Sequence, residues 1–300
     1  MEFDSQIDKL LGDLESLELS TVNGRITEIV GMLIKAIIPN VKIGEICLVK
    51  REGMEPLRTE VVGFTKEEVL EFDRCAKDPI YFMEKWFKIV SLDEGLIDFN
   101  LYPFQKKIVR TIHNNRFTIA KLPRQSGKST TTIAYLLHFA IFNPNSNIAI
   151  LANKSSTARD ILGRLQLAYE NLPKWLQQGA VVWNKGNIEV ENGSKVIAAA
   201  TSSSAVRGSS FNIIFLDEFA FIPSNIAEQF FSSVYPTITA GQTSKVIIVS
   251  TPHGMNMFYK MWMDAVNNKS EFIPIEVHWR EVPGRDDAWK EQTVKNTSKQ

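Results

Sequence analysis

The sequence predicts an α/β fold: a central, mostly parallel sheet flanked by helices, preceded by a small β-rich N-terminal segment. Three observations carry this. Residues 117–120 form a short β-rich run that passes through Gly127-Lys128-Ser129-Thr130 into an apolar helical stretch containing Ala134, Leu136, Leu137, Phe139 and Ala140. Residues 213–216 are wholly apolar and end in Asp217-Glu218. Residues 245–249 repeat the pattern and end in Ser250-Thr251-Pro252. Near-continuous apolar strands are buried on both faces, as in parallel sheets covered by helices.

Length and composition set the bounds. Three hundred residues hold one large α/β domain and a smaller one. A hydrophobic content of 44% supports a sizeable core. The formal net charge is zero, so overall charge gives no drive toward polyanions. Its distribution is uneven. Residues 101–165 carry Lys106, Lys107, Arg110, Arg116, Lys121, Arg124, Lys128, Lys154, Arg159 and Arg164 against one acid, Asp160. Such a segment serves the phosphates of ATP, of DNA or of both, or forms a solvated face. Residues 1–30 reverse the balance, with acids facing only Lys9 and Arg25. Cys47 and Cys75 are isolated, which fits a reducing compartment. The longest apolar run, 130–142, contains His138 and is too short to span a bilayer. The acidic N-terminus lacks the cationic start of a signal peptide. These features predict a soluble cytoplasmic protein without a membrane span.

In chain order, Ile7, Leu10, Leu11, Leu14 and Leu17 fall at helical spacing and predict an acidic amphipathic helix over 1–19. Residues 20–63 alternate short apolar runs with Gly31, Pro39-Asn40, Gly44 and Gly53, which predicts several short antiparallel strands. From Phe64 the texture turns helical. Thr65 with Glu68 makes a capping box, and Pro79 either divides two helices or opens the second. Tyr102-Pro103-Phe104-Gln105 precedes the loop strand; an aromatic ring and a Gln there are read as an adenine site, the alternative being a capped helix start. Residues 147–152 predict a strand, and a helix follows from Ser155 or Ser156 to Leu172, where Pro173 ends it. Residues 181–200 predict hairpin strands with Glu191-Asn192-Gly193-Ser194 as the turn. A polar loop over 201–210 carries Arg207-Gly208. Residues 257–266 predict a helix and 272–277 a strand; Glu276 on that strand has no evident partner strand. Residues 282–300 are polar and charged, and are expected to be exposed or incomplete.

The chemistry centres on the loop. Strand, Gly-Lys-Ser and helix form the layout of a phosphate-binding loop. Backbone N–H groups of Gln125, Ser126, Gly127 and Lys128 face the phosphates at a helix N-terminus, with Thr130 in the first turn. Lys128 reaches the β- and γ-phosphates, and the Ser129 hydroxyl holds Mg²⁺. The usual first Gly falls at Leu122, and Arg124 stands three residues before Gly127. Asp217, at the carboxyl end of its strand, holds Mg²⁺ beside Ser129, and Glu218 activates the attacking water. Ser250 and Thr251 end the neighbouring strand, where hydroxyls sense the γ-phosphate. Together these mark a P-loop NTPase with a catalytic Glu.

Two resemblances follow. Residues 19–64, with GRITEIVGMLIKAIIPNVKIGEICLVKREG and TEVVGF, resemble the N-terminal β-barrel of flagellar and type III secretion export ATPases. The segment stops before a full barrel closes, and the glycine-rich loop of those proteins does not follow. Residues 64–300 resemble the ATPase part of the large terminase subunit of tailed, contractile-tailed bacteriophages. The residues that carry this are LPRQSGKST, NLPKWLQQGAVVWNKGNIEVENGS, SSAVRGSSF, IIFLDEFAFIP and VIIVSTPHG. The resemblance implies a motor that couples Mg-ATP hydrolysis to double-stranded DNA translocation during viral genome packaging. It implies Arg124 as the group that stabilises the transferring γ-phosphate, Gln105 in the adenine motif, and Ser250, Thr251 and Arg207 in coupling. It further implies portal protein and small terminase subunit as partners, an oligomeric ring, and residence in the host cytoplasm with transient docking on the procapsid portal. The family continues into a second ATPase subdomain and a nuclease domain. Residues 64–300 are therefore expected to hold an ATPase domain incomplete at its C-terminus and without nuclease activity. A protein-export ATPase and a truncated, non-hydrolysing nucleotide-binding fragment are the alternatives.

Overall fold

The computed structural model describes residues 23–30, 33–38, 46–61, 66–91, 93–202, 210–239 and 241–296. The predicted helix over 1–19, the Thr65 cap and Arg207 lie outside these. The chain divides into two compact units, Met1–Gly63 and Phe64–Gln300.

In the first unit, β1 (Arg25–Val30) pairs antiparallel with β2 (Leu33–Ile37), and β3 (Ile46–Arg51) with β4 (Met54–Glu60). Both pairs are the short antiparallel strands that the Gly and Pro punctuation predicts. Gly53, at φ +71°, turns the second hairpin.

The second unit is built on one eight-stranded sheet. Its members are β7 (Phe117–Lys121), β8 (Asn147–Ala152), β9 (Ala180–Trp183), β10 (Asn187–Val190), β11 (Lys195–Ala200), β12 (Ile213–Asp217), β13 (Lys245–Ser250) and β14 (Ile273–Glu276). The spatial order is β14-β7-β13-β12-β8-β11-β10-β9. The strands from β14 to β11 are parallel, and the hairpin edge β10-β9 is antiparallel. Strand residues point alternately to the two faces. Ala120, Ile148, Ile150, Ile213, Phe215, Ile247 and Val249 join one core. Ile119, Ala149, Leu151, Ile214, Leu216, Val246 and Ile248 join the other.

Helices cover both faces. The first core includes residues of α1 (Lys66–Lys77), α2 (Pro79–Trp86), α3 (Pro103–Asn114), α4 (Lys128–Phe142) and α5 (Ser155–Glu170). The second includes residues of α6 (Ser224–Thr239) and α7 (Met257–Val266). Pro79 opens α2, and the Asp78 carboxylate accepts from the N–H groups of Ile80 and Tyr81.

Three features depart from the sequence reading. A hairpin of β5 (Lys88–Ser91) and β6 (Gly95–Asp98) precedes the loop region, and at its turn the Ser91 hydroxyl accepts from the N–H groups of Asp93 and Glu94. Glu276 does have a partner strand: β14 pairs with β7, and Glu276 binds Lys121 at 2.6 Å. Residues 283–296 are largely exposed, as expected, but they are not a plain tail: α8 (Asp287–Asn296) follows a turn that packs against the loop. No described helix is long and apolar enough to cross a membrane.

Candidate active site

In a parallel sheet all carboxyl ends lie at one edge, and ligands bind in the crevice outside it. Here β13 sits between β7 and β12. Its last residue, Ser250, is therefore delivered between the loop that follows β7 and the Asp217-Glu218 pair that ends β12.

The loop runs from Leu122 to Gly127. Leu122, where the first Gly of the common pattern would fall, is buried, and its N–H donates to the Ser250 carbonyl at 3.1 Å. The position extends the β7–β13 ladder, so a core side chain replaces the glycine there. Ser126 folds the loop by donating to the Pro123 carbonyl at 2.9 Å. Gly127 caps α4 at φ +73°, and a Cβ there would meet Gln105 Nε2 at 2.6 Å. The backbone conformation favours glycine, and any Cβ would also push the Gln105 amide aside. Lys128 and Ser129 then fall in the first turn of α4, with Thr130 half-buried beside them.

Ser129 Oγ lies 2.9 and 3.1 Å from the two oxygens of Asp217. Asp217 is 4% exposed, and burial, reinforced by Glu218, pushes its pKa up to about 6 against the opposing Ser129 hydrogen bond. A hydroxyl and a buried carboxylate in contact form a hard oxygen pair that fits a magnesium ion with retained waters. A divalent cation there would offset the charge that burial penalises.

Lys128 Nζ pairs with Glu218 Oε1 at 2.7 Å. The other carboxylate oxygen, Oε2, accepts from the Thr251 N–H at 3.2 Å, with Ser250 Oγ at 3.5 Å. Glu218 has φ +50°, a left-handed conformation that costs a non-glycine residue on the order of 1 kcal/mol and clusters at functional sites. Ser250 is fully buried, and its hydroxyl accepts from the Ala220 N–H at 3.0 Å. The catalytic candidate is thus joined to Lys128 on one side and to the Ser250-Thr251 strand end on the other.

Arg124 is exposed, with its guanidinium 5.8 Å from the centre of the Phe221 ring, which itself stacks on His253. Gln105 is 2% exposed. Its Oε1 accepts from the Tyr102 N–H, and its Nε2 faces the Ser126 carbonyl at 3.4 Å. It caps α3, the second of the two readings of this segment, and its amide also braces the loop, a contact that neither reading contains. The open ring nearby belongs to Tyr102, 43% exposed, stacked on buried Phe104.

The structure thus brings together Gln105, Gln125, Ser126, Gly127, Lys128, Ser129, Thr130, Asp217, Glu218, Ser250 and Thr251, with Arg124 at the rim. The sequence reading missed Phe221, His253 and Arg285. Arg285 donates to the carbonyls of Arg124 and Gln125. Its Pro283-Gly284 turn was the available signal.

A parallel sheet, a phosphate loop and a Lys–Glu–Ser cluster at the carboxyl edge define a P-loop nucleotide hydrolase fold. The chain belongs to the family described as terminase large subunit, T4likevirus-type, N-terminal, whose model matches residues 119–300. Solved structures share the fold. The large terminase ATPase domain of Thermus phage P74-26 is 21% identical, with a TM-score of 0.55 over 67% of this chain and 90% of that one. The HK97 bacteriophage large terminase is 17% identical, with a TM-score of 0.59 over 72% of this chain and 46% of that one. A large terminase from a thermophilic bacteriophage, in complex with ATP-γ-S, is 12% identical, with a TM-score of 0.50 over 65% of this chain and 49% of that one. An uncharacterised 12.2 kDa protein of Yersinia enterocolitica is 38% identical over 53 residues, 17% of this chain and 48% of that protein. The chain thus spans about half the length of several of the proteins it matches.

Proposed function

We propose that this chain is the ATP-hydrolysing motor part of a large terminase subunit and couples hydrolysis to movement of double-stranded DNA into a viral capsid. The observation that carries the reading is the convergence of Lys128, Ser129, Asp217 and Glu218 at one sheet edge. Family membership and the ATP-γ-S complex of a structural relative support it.

The steps follow from the contacts. ATP lies with its β- and γ-phosphates over the N–H groups of residues 125–129, and with adenine near Tyr102 and Gln105. Lys128 exchanges the Glu218 carboxylate for phosphate oxygens. Ser129 and Asp217 would hold Mg²⁺, which neutralises charge on the β- and γ-phosphates when bound. Glu218, released from Lys128, accepts a proton from water as that water attacks the γ-phosphorus, and ADP leaves with the bridging oxygen. Arg124 turns from Phe221 to the γ-phosphate. Because Glu218 Oε2 is bonded to the Thr251 N–H, its motion is transmitted to the end of β13. Residues 64–300 form the motor domain and 20–63 a separate β-rich segment. Portal protein, the small terminase subunit, a ring of copies and docking at the procapsid in the host cytoplasm complete the proposal.

A packaging motor must ignore sequence, so duplex DNA is held through its phosphates. The test is phosphate release from ATP with and without duplexes of two unrelated sequences. Expected are Mg²⁺-dependent turnover and equal, salt-sensitive affinity for both duplexes. Absence of turnover under all conditions, or preference for one duplex, overturns it.

A further inference from the structure

We propose that Arg285 is a positioning residue for the phosphates of a bound nucleotide, acting from behind the loop. Its Nη2 donates to the Arg124 carbonyl at 2.7 Å and to the Gln125 carbonyl at 3.1 Å. Those carbonyls belong to the peptide groups whose N–H ends are those of Gln125 and Ser126. A cation bonded to the oxygen end of a peptide group fixes its orientation and strengthens its dipole. Both N–H groups are therefore aimed and polarised from the side away from the ligand.

The loop needs such a hold. Gln125, between the two peptides, has φ +55° without being glycine. That conformation is sparsely populated and persists only where the surroundings enforce it. Arg285 grips both flanks of the strained residue. Backbone donors that must cradle phosphate cannot be pinned by bonds on their own side, so a clamp on the carbonyls is the available solution.

Arg285 is presented by a rigid device. Val282 is buried, and the Arg285 N–H returns to the Val282 carbonyl at 3.2 Å. Pro283 and Gly284, the latter at φ +78°, fill the two central positions, the arrangement of a type II turn. The guanidinium lies 4.8 Å from the centre of the Trp289 ring, which stacks on Trp279 at 5.9 Å. The Asp286 carboxylate accepts from the Trp289 N–H at 2.8 Å and so fixes the start of α8. Movement of this segment would release the loop, so the segment is mechanically linked to nucleotide binding.

The inference rests on the nucleotide reading of the loop, and the experiment separates the two. A fluorescent ATP analogue with Mg²⁺ is titrated into the full chain and into Lys128→Ala, Arg285→Ala, Arg285→Lys, Gln125→Gly and the Arg285→Ala/Gln125→Gly pair. Arg285→Ala is expected to weaken binding about tenfold, the scale of one charge-assisted contact. Arg285→Lys, which keeps the charge and one bond, weakens it less. Gly at 125 carries no φ penalty, so Arg285→Ala should cost clearly less in the Gln125→Gly background. A merely structural role for Arg285 would give the same loss in both backgrounds, and that result overturns the proposal, as does unchanged binding in Arg285→Ala. Failure of the wild type to bind, or binding by Lys128→Ala equal to it, overturns the nucleotide reading itself and this inference with it.

Discussion

The Lys128–Glu218 pair makes the substitution Glu218→Gln informative in two directions at once. The two charges are 2.7 Å apart, with side chains 10% and 27% exposed. A phosphate must displace the Glu218 carboxylate to reach Lys128, so the pair competes with nucleotide. Glutamine can still accept one hydrogen bond, but it gives up the charge. Half-buried charge-assisted bonds are worth about 1–3 kcal/mol over neutral alternatives, of which the competing share is about 1 kcal/mol. ATP should therefore bind about fivefold more tightly to Glu218→Gln. The same change removes the proton acceptor, and general-base loss costs about 10²–10⁴ in rate. Titration with a fluorescent ATP analogue reads the first effect and phosphate release the second. Turnover within a few-fold of wild type, or affinity that falls with the rate, would refute the reasoning.

Three further outcomes follow from the geometry. Arg124→Ala should leave ATP affinity nearly unchanged while hydrolysis falls by about 10³ or more, as for arginine fingers in general; recovery of activity on mixing it with Glu218→Gln protein would show that Arg124 acts between subunits. His138 is 3% exposed, and burial lowers its pKa to about 4. The unfolded chain binds that proton below its ordinary pKa of about 6.5 while the folded chain does not, so this group's contribution falls as pH drops from 6.5 toward 4, by about 3 kcal/mol in all. Asp217, with its raised pKa, acts oppositely in an overlapping window. The difference between urea curves of wild type and His138→Gln, whose amide can still donate to the Cys75 carbonyl, isolates the histidine; parallel curves at pH 7 and 4.5 would refute it. Glu276 is occupied by Lys121, so Glu276→Ala should leave supercoiled plasmid as uncut with Mg²⁺ or Mn²⁺ as the wild type does; nicking by wild type that this variant loses would reveal a nuclease site.

The parts of the fold legible in the sequence were those with a local signal. Strands β7, β8, β12 and β13 are built on short apolar runs, broken in β7 only by Thr118, and their burial on both faces left no other use for them. Lys128, Ser129, Asp217 and Glu218 were legible because the chemistry ties residue types to strand ends. What escaped depends on contacts distant in sequence. Nothing at Glu218 announces its pairing with Lys128, and nothing near Gln125 announces a guanidinium 160 positions away. Leu122 read as a missing glycine, whereas its burial and its bond to Ser250 make it part of the sheet. Gln105 supported two readings because the residue type suits both an adenine edge and a helix cap; the structure shows the cap, and its contact to the Ser126 carbonyl had no local signal.

The central claim is that Lys128 trades Glu218 for phosphate while Ser129 and Asp217 hold the metal. A crystal structure of the chain with Mg²⁺ and a non-hydrolysable ATP analogue tests it most directly. The account predicts the γ-phosphate against Lys128 Nζ, the cation between Ser129 Oγ and Asp217, and Glu218 turned toward a water in line with the γ-phosphorus. An analogue bound elsewhere, or bound at the loop with the Lys128–Glu218 pair intact, would contradict it.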